Sequence, residues 1–300
     1  MTRRTLLATT PLALAAAPGR SVRLGAPVFL KTTDPREMAR EHRRLGYRAA
    51  YVPSFATLQN AAEVEAAFQA EDVVIAEVGA WKNMLDPDPA ARQANLAYVT
   101  ERMALAEAVG SRTCVDIAGS FHPKVWYAPH PNNLSPAFFD ATVENCRKVI
   151  DAVKPKRTKF SLEMMGWSLP DTPESYIRLV KAIDRPNGFG VHVDACNVIN
   201  SPEKLYRSAA LIDDVFRKLG RWILSCHAKD VAWVHGMQVH FLEVIPGRGE
   251  VDYAAYLRGI ASLGHEAPLM LEHLKTHEEY TEGVTHIRKV AATAGVTLAS

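Results

Sequence analysis

The chain has 300 residues, of which 48% are hydrophobic, and its formal net charge is +2. This length and apolar content allow one large domain or two small ones, each with a substantial core. Because the charge is close to zero and no basic run occurs, the composition argues against a surface for nucleic acid.

The first 20 residues are predicted to form a signal peptide. Arg3 and Arg4 precede an apolar run from Leu6 to Ala17, which ends in three alanines. Paired arginines before a short apolar segment are typical of the twin-arginine export route. A frayed apolar terminus or a misassigned start codon is the alternative. We therefore expect residues 21–300 to be a periplasmic or exported protein. No membrane association is expected after cleavage, because no other apolar run could span a bilayer.

Short apolar runs alternate with helical segments along the rest of the chain. Strands are predicted over residues 22–30, 49–53, 73–81, 113–120, 159–163, 189–194, 223–230 and 268–272. Helices are predicted over residues 35–45, 61–71, 90–109, 136–153, 173–183, 202–219, 253–262 and 278–294. A long excursion at residues 231–251 separates the seventh strand from its helix.

Eight such alternations, without a linker rich in Pro, Gly or Ser, predict an α/β fold, a single (β/α)8 TIM barrel. The strands are almost continuously apolar, as expected for a parallel sheet covered on both faces. A doubly wound open sheet is the alternative. That fold usually has a glycine-rich turn after its first strand, and Lys31-Thr-Thr-Asp-Pro35 is not one.

The four cysteines show no CxxC pairing. Cys114, Cys196 and Cys226 fall in predicted strands and Cys146 in a predicted helix. An oxidising compartment would allow a disulfide, but buried free thiols are the expected state.

Four of the predicted strands end in a residue that can bind a metal ion. These residues are spaced by 31, 33 and 45 positions, about one strand–helix unit per step: Glu163, Asp194, His227 and Glu272. The carboxyl ends of barrel strands meet at one mouth, so the four side chains should converge. Three neighbouring carboxylates repel one another unless a cation lies between them. We predict a divalent metal site, with Mn²⁺ as the first choice and Mg²⁺, Co²⁺ or Zn²⁺ as alternatives.

These motifs resemble those of the sugar phosphate isomerase/epimerase superfamily, the xylose isomerase-like TIM barrels. The similar segments are Glu163, His192-Val-Asp-Ala-Cys-Asn197, His227-Ala-Lys-Asp230, Pro246-Gly-Arg-Gly-Glu-Val-Asp-Tyr253 and Leu271-Glu-His273. The resemblance implies one metal ion held by the four strand-end residues. It also implies that Glu163 and Glu272 are catalytic, one removing a proton beside a carbonyl and the other returning it across a cis-enediolate. We therefore expect a metal-dependent isomerase or epimerase of a keto-sugar, with homo-oligomerisation left open.

The chain departs from the ketose 3-epimerases of this superfamily at three places. Leu169 stands where they carry a second glutamate, and Asn197 where they carry a histidine. Lys229-Asp230 stands in the segment where they place an arginine. Because those groups grip a free ketose, a lyase or dehydratase acting on a keto-inositol or a 3-keto-glycoside is the alternative. A non-catalytic carbohydrate-binding barrel is a third interpretation, preferable if the four ligands do not converge.

Endonuclease IV also belongs to this superfamily, but its further ligands for a trinuclear zinc site have no residue-by-residue match. The neutral charge also argues against a DNA substrate.

Several more residues near the predicted mouth are candidates for binding the sugar. They are His192, Asn197, Lys229, Asp230, Arg248, Glu250, Glu77 and Trp81. His192 shares a strand face with Asp194, although a core role is as reasonable. Lys229 and Asp230 could instead pair with each other, and the glycine-flanked segment 246–250 could be only a turn. Trp81 could stack on a sugar face or serve as a lid.

Overall fold

The structure is a computed structural model that describes residues 21–300, so the predicted signal peptide at residues 1–20 lies outside the described residues. In chain order the strands are β1 (Leu24–Gly25), β2 (Ala49–Tyr51), β3 (Val74–Gly79), β4 (Thr113–Asp116), β5 (Lys159–Glu163), β6 (Phe189–Asp194), β7 (Ile223–Ala228), β8 (Asp230–Trp233), β9 (Phe241–Val244) and β10 (Leu269–Leu271). Eight of them close into a parallel barrel in the order β1-β10-β7-β6-β5-β4-β3-β2, and β1 pairs with β2. The predicted (β/α)8 fold is confirmed.

Helices follow the barrel strands and cover the outside of the sheet. They are α1 (Pro35–Arg44), α2 (Ala61–Ala70), α3 (Pro89–Ala108), α4 (Pro136–Val153), α5 (Pro173–Ile183), α6 (Pro202–Tyr206), α7 (Ser208–Leu219), α8 (Tyr253–Ala261) and α9 (His277–Ala294). Five of them begin with proline directly after a capping Asp, Ser or Thr, namely Asp34, Asp88, Ser135, Thr172 and Ser201. The cap side chain accepts a free backbone N–H, and proline has none to satisfy. The sequence thus specifies where the chain turns from loop into helix.

The barrel interior is tightly filled. Every residue of β6 is buried, as expected for a strand covered on both faces. Inside the barrel, the hydroxyls of Thr113 and Ser161 lie 2.7 Å apart and form a hydrogen bond. A Cβ atom on Gly25 would lie 2.3 Å from the carbonyl oxygen of Ala49, so only glycine fits there. The four cysteines are buried and free, as predicted.

Three elements differ most from the sequence-based predictions, and the fourth strand, predicted over residues 113–120, ends at Asp116. The first strand was predicted over residues 22–30, but only Leu24–Gly25 joins the barrel; Val22 instead bridges to Leu298. Pro27 has no N–H to continue the ladder. The helix predicted over residues 202–219 is interrupted at Arg207, which separates α6 from α7. The excursion at residues 231–251 contains most of an antiparallel hairpin, β8 paired with β9.

In the part of the chain from residue 21 onward, no helix is both long enough and apolar enough to cross a membrane.

Candidate metal centre

The four predicted ligands lie at or near the carboxyl ends of four neighbouring strands. Glu163 ends β5 and lies opposite His192, while Asp194 ends β6 and lies opposite His227. His227 is in register with Met270 of β10, and Glu272 follows that strand directly. Because parallel strands end at the same mouth, side chains at these four positions can converge on one point.

The four side chains converge as predicted. His227 Nδ1 lies 2.8 Å from Glu272 Oε1, 3.2 Å from Glu163 Oε1 and 3.9 Å from Asp194 Oδ2. One ligand atom from each residue lies within 4.8 Å of the others. These four side chains had to converge if they were to form a metal site, and they do.

The donor set fits a hard divalent cation. Three carboxylates and one imidazole are ligands that Mn²⁺, Mg²⁺ and related ions accept. Asp194 Oδ1 is engaged by the backbone N–H groups of Cys196 and Asn197, at 2.8 and 3.1 Å. Among the described residues, Asp194 Oδ2 and Glu272 Oε1 are buried and accept no hydrogen bond, although both make ionic contacts. These oxygens are therefore directed at a position that suits a cation.

Burial and mutual charge shift the ionisation of the whole cluster. Burial raises the pKa of Asp194, and the neighbouring Glu163 and Glu272 raise it further. Burial also acts to raise the pKa of Glu163, but Lys229 and His227 outweigh it and hold that pKa well below its ordinary value. For His227, burial acts to lower the pKa, yet Glu272, Glu77 and Glu163 raise it well above the usual range. The carboxylates thus depend on cationic neighbours to stay ionised.

Glu77 orients the imidazole of His227 from inside the barrel. Glu77 Oε2 accepts a hydrogen bond from His227 Nε2 at 2.9 Å, and both side chains are fully buried. This contact leaves His227 Nδ1 facing the three carboxylates, the arrangement in which a carboxylate fixes a metal-binding histidine. Glu77 was predicted to bind substrate directly, but its position beneath His227 makes it a positioning residue instead. β3 and β7 are not neighbours in the barrel, so no spacing along the chain predicts this pair.

His192 also lies below the mouth. Its side chain is fully buried, and Nδ1 lies 2.6 Å from the hydroxyl of Ser225 on the neighbouring strand. Its ring centroid is 4.1 Å from that of His227. Burial lowers the pKa of His192 to about 4, and the proximity of His227 contributes to this shift. His192 therefore packs beneath His227 as a neutral ring, which corresponds to the core role considered for it.

Three of the other predicted substrate residues lie at the mouth. Asn197 donates a hydrogen bond from Nδ2 to Glu163 Oε1 at 2.8 Å, so it fixes the orientation of that carboxylate. Lys229 has its ammonium group within the acidic cluster. The Trp81 ring, 37% exposed, has its centroid 6.3 Å from that of His227. Its face is available to a ligand at the entrance, and apolar sugar faces stack on such rings.

Asp230 is part of the scaffold and is not positioned to bind a sugar. It is buried, and its two carboxylate oxygens accept backbone N–H groups from Val231, Gly247, Gly249 and Val251 at 2.8 to 3.1 Å. The predicted contact with substrate is therefore corrected, because both oxygens are already occupied. A Cβ atom on Gly249 would lie 2.3 Å from Asp230 Oδ1, which explains the glycine in this turn.

Arg248 and Glu250 also differ from their predicted role. The guanidinium of Arg248 points outward and forms a two-bond ion pair with Glu282 of α9, at 2.6 and 2.7 Å. Glu250 is exposed, and its backbone carbonyl accepts a hydrogen bond from Ser208. The glycine-flanked segment 246–250 is thus a structural turn, the alternative considered for it.

Two functional candidates were not predicted. Tyr51 ends β2, donates its hydroxyl to the carbonyl of Leu271 at 3.1 Å, and lies beside His227 with ring centroids 6.3 Å apart. His273 lies next to Glu272, with Nε2 3.6 Å from Glu272 Oε2 and Nδ1 3.2 Å from Glu243 of the hairpin. The strand-end position of Tyr51 and the Leu-Glu-His motif were the available signals.

Comparison with known proteins places this fold in a family. The sequence profile of the xylose isomerase-like TIM barrel matches residues 38–290. Because this match covers most of the chain, the protein belongs to that family. No curated protein sequence matches the chain.

Solved structures with similar folds include several enzymes. The 3-keto-D-glucoside 4-epimerase of E. coli has a TM-score of 0.64 and 15% identity, covering 90% of this chain and 100% of that one. A xylose isomerase-like TIM barrel protein of Mycobacterium smegmatis, solved in complex with magnesium, has a TM-score of 0.61 and 17% identity over 91% of this chain and 97% of that one. A probable 3-DHS dehydratase of Bacillus anthracis has a TM-score of 0.64 and 14% identity over 91% and 98%. At these identities the similarity establishes the fold.

Proposed function

We propose that this protein is a metal-dependent isomerase or epimerase that moves a proton beside the carbonyl of a keto-sugar. The observation that carries the proposal is the placement of two glutamates around one cation position. Glu163 ends β5 and Glu272 follows β10, and Oε1 of each contacts the same imidazole nitrogen of His227, at 3.2 and 2.8 Å. Carboxylates that approach one site from different strands can act on different faces of a bound substrate.

The metal would be held by Glu163, Asp194, His227 and Glu272. When bound, a divalent cation supplies Lewis-acid polarisation of a carbonyl oxygen. One glutamate removes the proton from the adjacent carbon, and the C–H electron pair moves into the enediolate. The other glutamate delivers a proton to the enediolate and completes the epimerisation or isomerisation.

The remaining residues of the cluster hold the reacting groups in place. Asn197 fixes Glu163 through Oε1, and Glu77 fixes His227 through Nε2. Trp81, partly exposed beside His227, would stack against an apolar face of the sugar. Mn²⁺ is our first choice of metal, and Mg²⁺ also suits an oxygen-rich site of this kind.

A lyase acting on a 3-keto-glycoside or a keto-inositol is the second candidate. Two positions favour it. In the ketose 3-epimerases the residues at these positions bind a free ketose, whereas here they are Leu169 and Asn197. Leu169 is buried in the hydrophobic core, and the amide of Asn197 is engaged with Glu163. A lyase uses the same first step but then expels a group on the next carbon, which leaves with the electron pair and takes up a proton. The ammonium of Lys229 is a donor in the same cluster.

The non-catalytic barrel is not favoured, because the four ligands converge.

The reaction is tested by incubating the metal-loaded protein in D₂O with a panel of ketoses and 3-keto-glucosides, read by NMR. Deuterium in a recovered or epimerised sugar would support the isomerase or epimerase. Release of an aglycone or of water with an unsaturated product would replace it with the lyase. The Glu272→Gln variant is the control, and it should give neither signal. Absence of both signals from a protein that also binds no metal would contradict the proposal.

Export is proposed on the basis of residues 1–20 alone. A fusion of the chain to a reporter should be found outside the cytoplasm. Changing Arg3→Lys and Arg4→Lys together should retain it inside, because the paired arginines are the recognised feature. Unchanged export of the double variant would reject the twin-arginine route.

A further inference from the structure

Lys229 places a cation inside the acidic cluster. It follows β7 directly, and only 3% of its side chain is exposed. Its Nζ atom lies 2.9 Å from Asp194 Oδ2, 2.9 Å from Glu272 Oε1 and 3.5 Å from Glu163 Oε1. An ammonium in contact with three carboxylates in a buried site is held there by charge.

The oxygens that contact Lys229 are the same oxygens that would bind the metal. Asp194, Glu272 and Glu163 all belong to the four-residue ligand set with His227. Metal–oxygen distances are about 2.0 to 2.6 Å for Mg²⁺ and Ca²⁺. A metal ion bonded to these oxygens and an ammonium at 2.9 Å from two of them would lie side by side, with like charges in a buried site. The two cations therefore compete for the same oxygens, and each weakens the binding of the other.

We propose that Lys229 is an internal competitor of the metal: its ammonium neutralises the ligand carboxylates, and metal binding displaces it towards the mouth. This inference rests on the metal site of the proposed function but not on the reaction assigned to it. Lys229 thereby sets the metal affinity of the site and becomes available to a substrate only when the metal is bound.

The surroundings of Lys229 permit such a movement. Its backbone is fixed, because the Lys229 carbonyl accepts a hydrogen bond from the buried hydroxyl of Tyr253 at 2.8 Å. Its side chain, by contrast, is a flexible four-carbon stem that can change rotamer without moving the strand. Glu243 of β9, whose side chain is 37% exposed, lies beside the cluster, with Oε2 3.2 Å from Nδ1 of His273, the residue after Glu272. Glu243 therefore offers the displaced ammonium a partner at the mouth.

The experiment compares metal binding by the full-length protein and by Lys229→Met, which keeps the length of the side chain and removes the charge. Both proteins are stripped with a chelator and titrated with Mn²⁺ in a calorimeter. Removing an adjacent cation should tighten Mn²⁺ binding by about tenfold or more. Lys218→Met is the matched control, since Lys218 pairs with Glu174 and Asp214 at the surface, and its Mn²⁺ affinity should equal that of the wild type.

Thermal unfolding supplies a second readout. The metal-free Lys229→Met protein should have a lower Tm than the metal-free wild type, because its carboxylates lose their cation. With saturating Mn²⁺ the two Tm values should be close. Equal or weaker Mn²⁺ binding by Lys229→Met would overturn the inference, since a lysine that only contacts substrate would leave the metal affinity unchanged.

If Lys229→Met does not fold without metal, the wild type itself provides the test. Brief acylation of lysines, followed by mass spectrometry, should modify Lys229 more when Mn²⁺ is present than when it is absent. Equal or smaller modification with Mn²⁺ would reject displacement. A wild type that binds no Mn²⁺ would refute the metal site as well, whereas tight binding without turnover would contradict only the proposed reaction.

Discussion

The two ends of the barrel differ in how their charged side chains are arranged and how far they are buried. At the amino end of the strands, Arg23 bonds to both Glu266 and Asp72 at 2.8 Å, and Arg112 also pairs with Glu266. The side chains of this network are 17% to 62% exposed, and each charge has a partner of opposite sign. At the carboxyl end, three carboxylates and Glu77 surround His227 and Lys229, and none of these side chains is more than 11% exposed.

The exposed ion pairs at the amino end connect parts of the fold, whereas the buried cluster at the carboxyl end has the features of a functional site. Exposed ion pairs contribute little to stability but cost little to form. A buried cluster with an excess of carboxylates costs stability, and such a cost is typical of a functional site. The amino end should therefore tolerate substitution with small changes in stability, while the mouth should lose function and keep the fold.

The largest expected effect is at the two glutamates proposed to move the proton. Glu163→Gln and Glu272→Gln should each lower the rate of deuterium exchange into substrate by about 10² to 10⁴, the usual contribution of a general acid or base. Each variant should stay folded, because Gln keeps the size of the side chain and three acidic side chains still surround His227 and Lys229. The measurements are NMR exchange rates and Tm. Wild-type exchange in either variant would reject its role as the base or acid.

The second effect concerns the histidine beneath the carboxylates. Glu77→Gln should weaken Mn²⁺ binding by about 10 to 100-fold, the usual cost of losing the carboxylate that orients a metal-binding histidine. Calorimetric titration measures the loss. Asn95→Ala, which removes a hydrogen bond from α3 to the Asn83 carbonyl outside the centre, is the control and should bind Mn²⁺ normally. Normal Mn²⁺ binding by Glu77→Gln would show that His227 does not need Glu77.

The third effect concerns Asp116, a buried carboxyl group that does not belong to the cluster at the mouth. Asp116 ends β4, is fully buried, and accepts backbone N–H groups from Lys82 and Ile117 at 3.1 and 2.9 Å. Burial raises its pKa well above the ordinary value. The folded protein therefore holds this proton above pH 4, where the unfolded chain releases it, so the free energy of unfolding falls as the pH rises through that window.

Asp116→Asn should consequently stabilise the protein at neutral pH by about 1 kcal/mol, and the gain should shrink towards pH 4. Denaturant unfolding at several pH values measures it. Asp151→Asn, at an exposed position paired with Arg185, is the control and should show no such trend. A gain that does not depend on pH would contradict the assignment to ionisation.

The smallest effect is expected at the amino end. Glu266→Gln removes two ion pairs, with Arg23 and Arg112, yet it should lower the free energy of unfolding by only about 1 kcal/mol or less. The difference should shrink further at high salt because exposed charges are screened. Mn²⁺ affinity should not change. If Glu266→Gln lowered the free energy of unfolding as much as a core substitution does, the amino end could not be described as tolerant of substitution.

The sequence was sufficient for the fold and for the convergence of four strand-end side chains. Apolar strands alternating with capped helices predict a barrel, and the strand-end positions of Glu163, Asp194, His227 and Glu272 predict their convergence. Both inferences depend only on backbone periodicity and parallel register, which local sequence specifies.

The sequence was not sufficient for contacts that depend on side-chain direction or on distant strands. The Glu77–His227 pair joins β3 to β7 across the barrel, and no spacing along the chain encodes it. The position of the Lys229 ammonium depends on the rotamers of a flexible stem. The β8–β9 hairpin lies outside the barrel, so its strands lack the buried apolar pattern by which the other strands were recognised.

The four backbone hydrogen bonds accepted by Asp230 also make the excursion after β7 an interchangeable unit. Val231 opens this segment and Gly247, Gly249 and Val251 close it, and all four are bound to the same carboxylate. The ends of the hairpin are thus already joined, and changing its length alters the loop-closure entropy only slowly. Different hairpins can therefore be exchanged at one edge of the mouth while Glu163, Asp194, His227 and Glu272 stay in place.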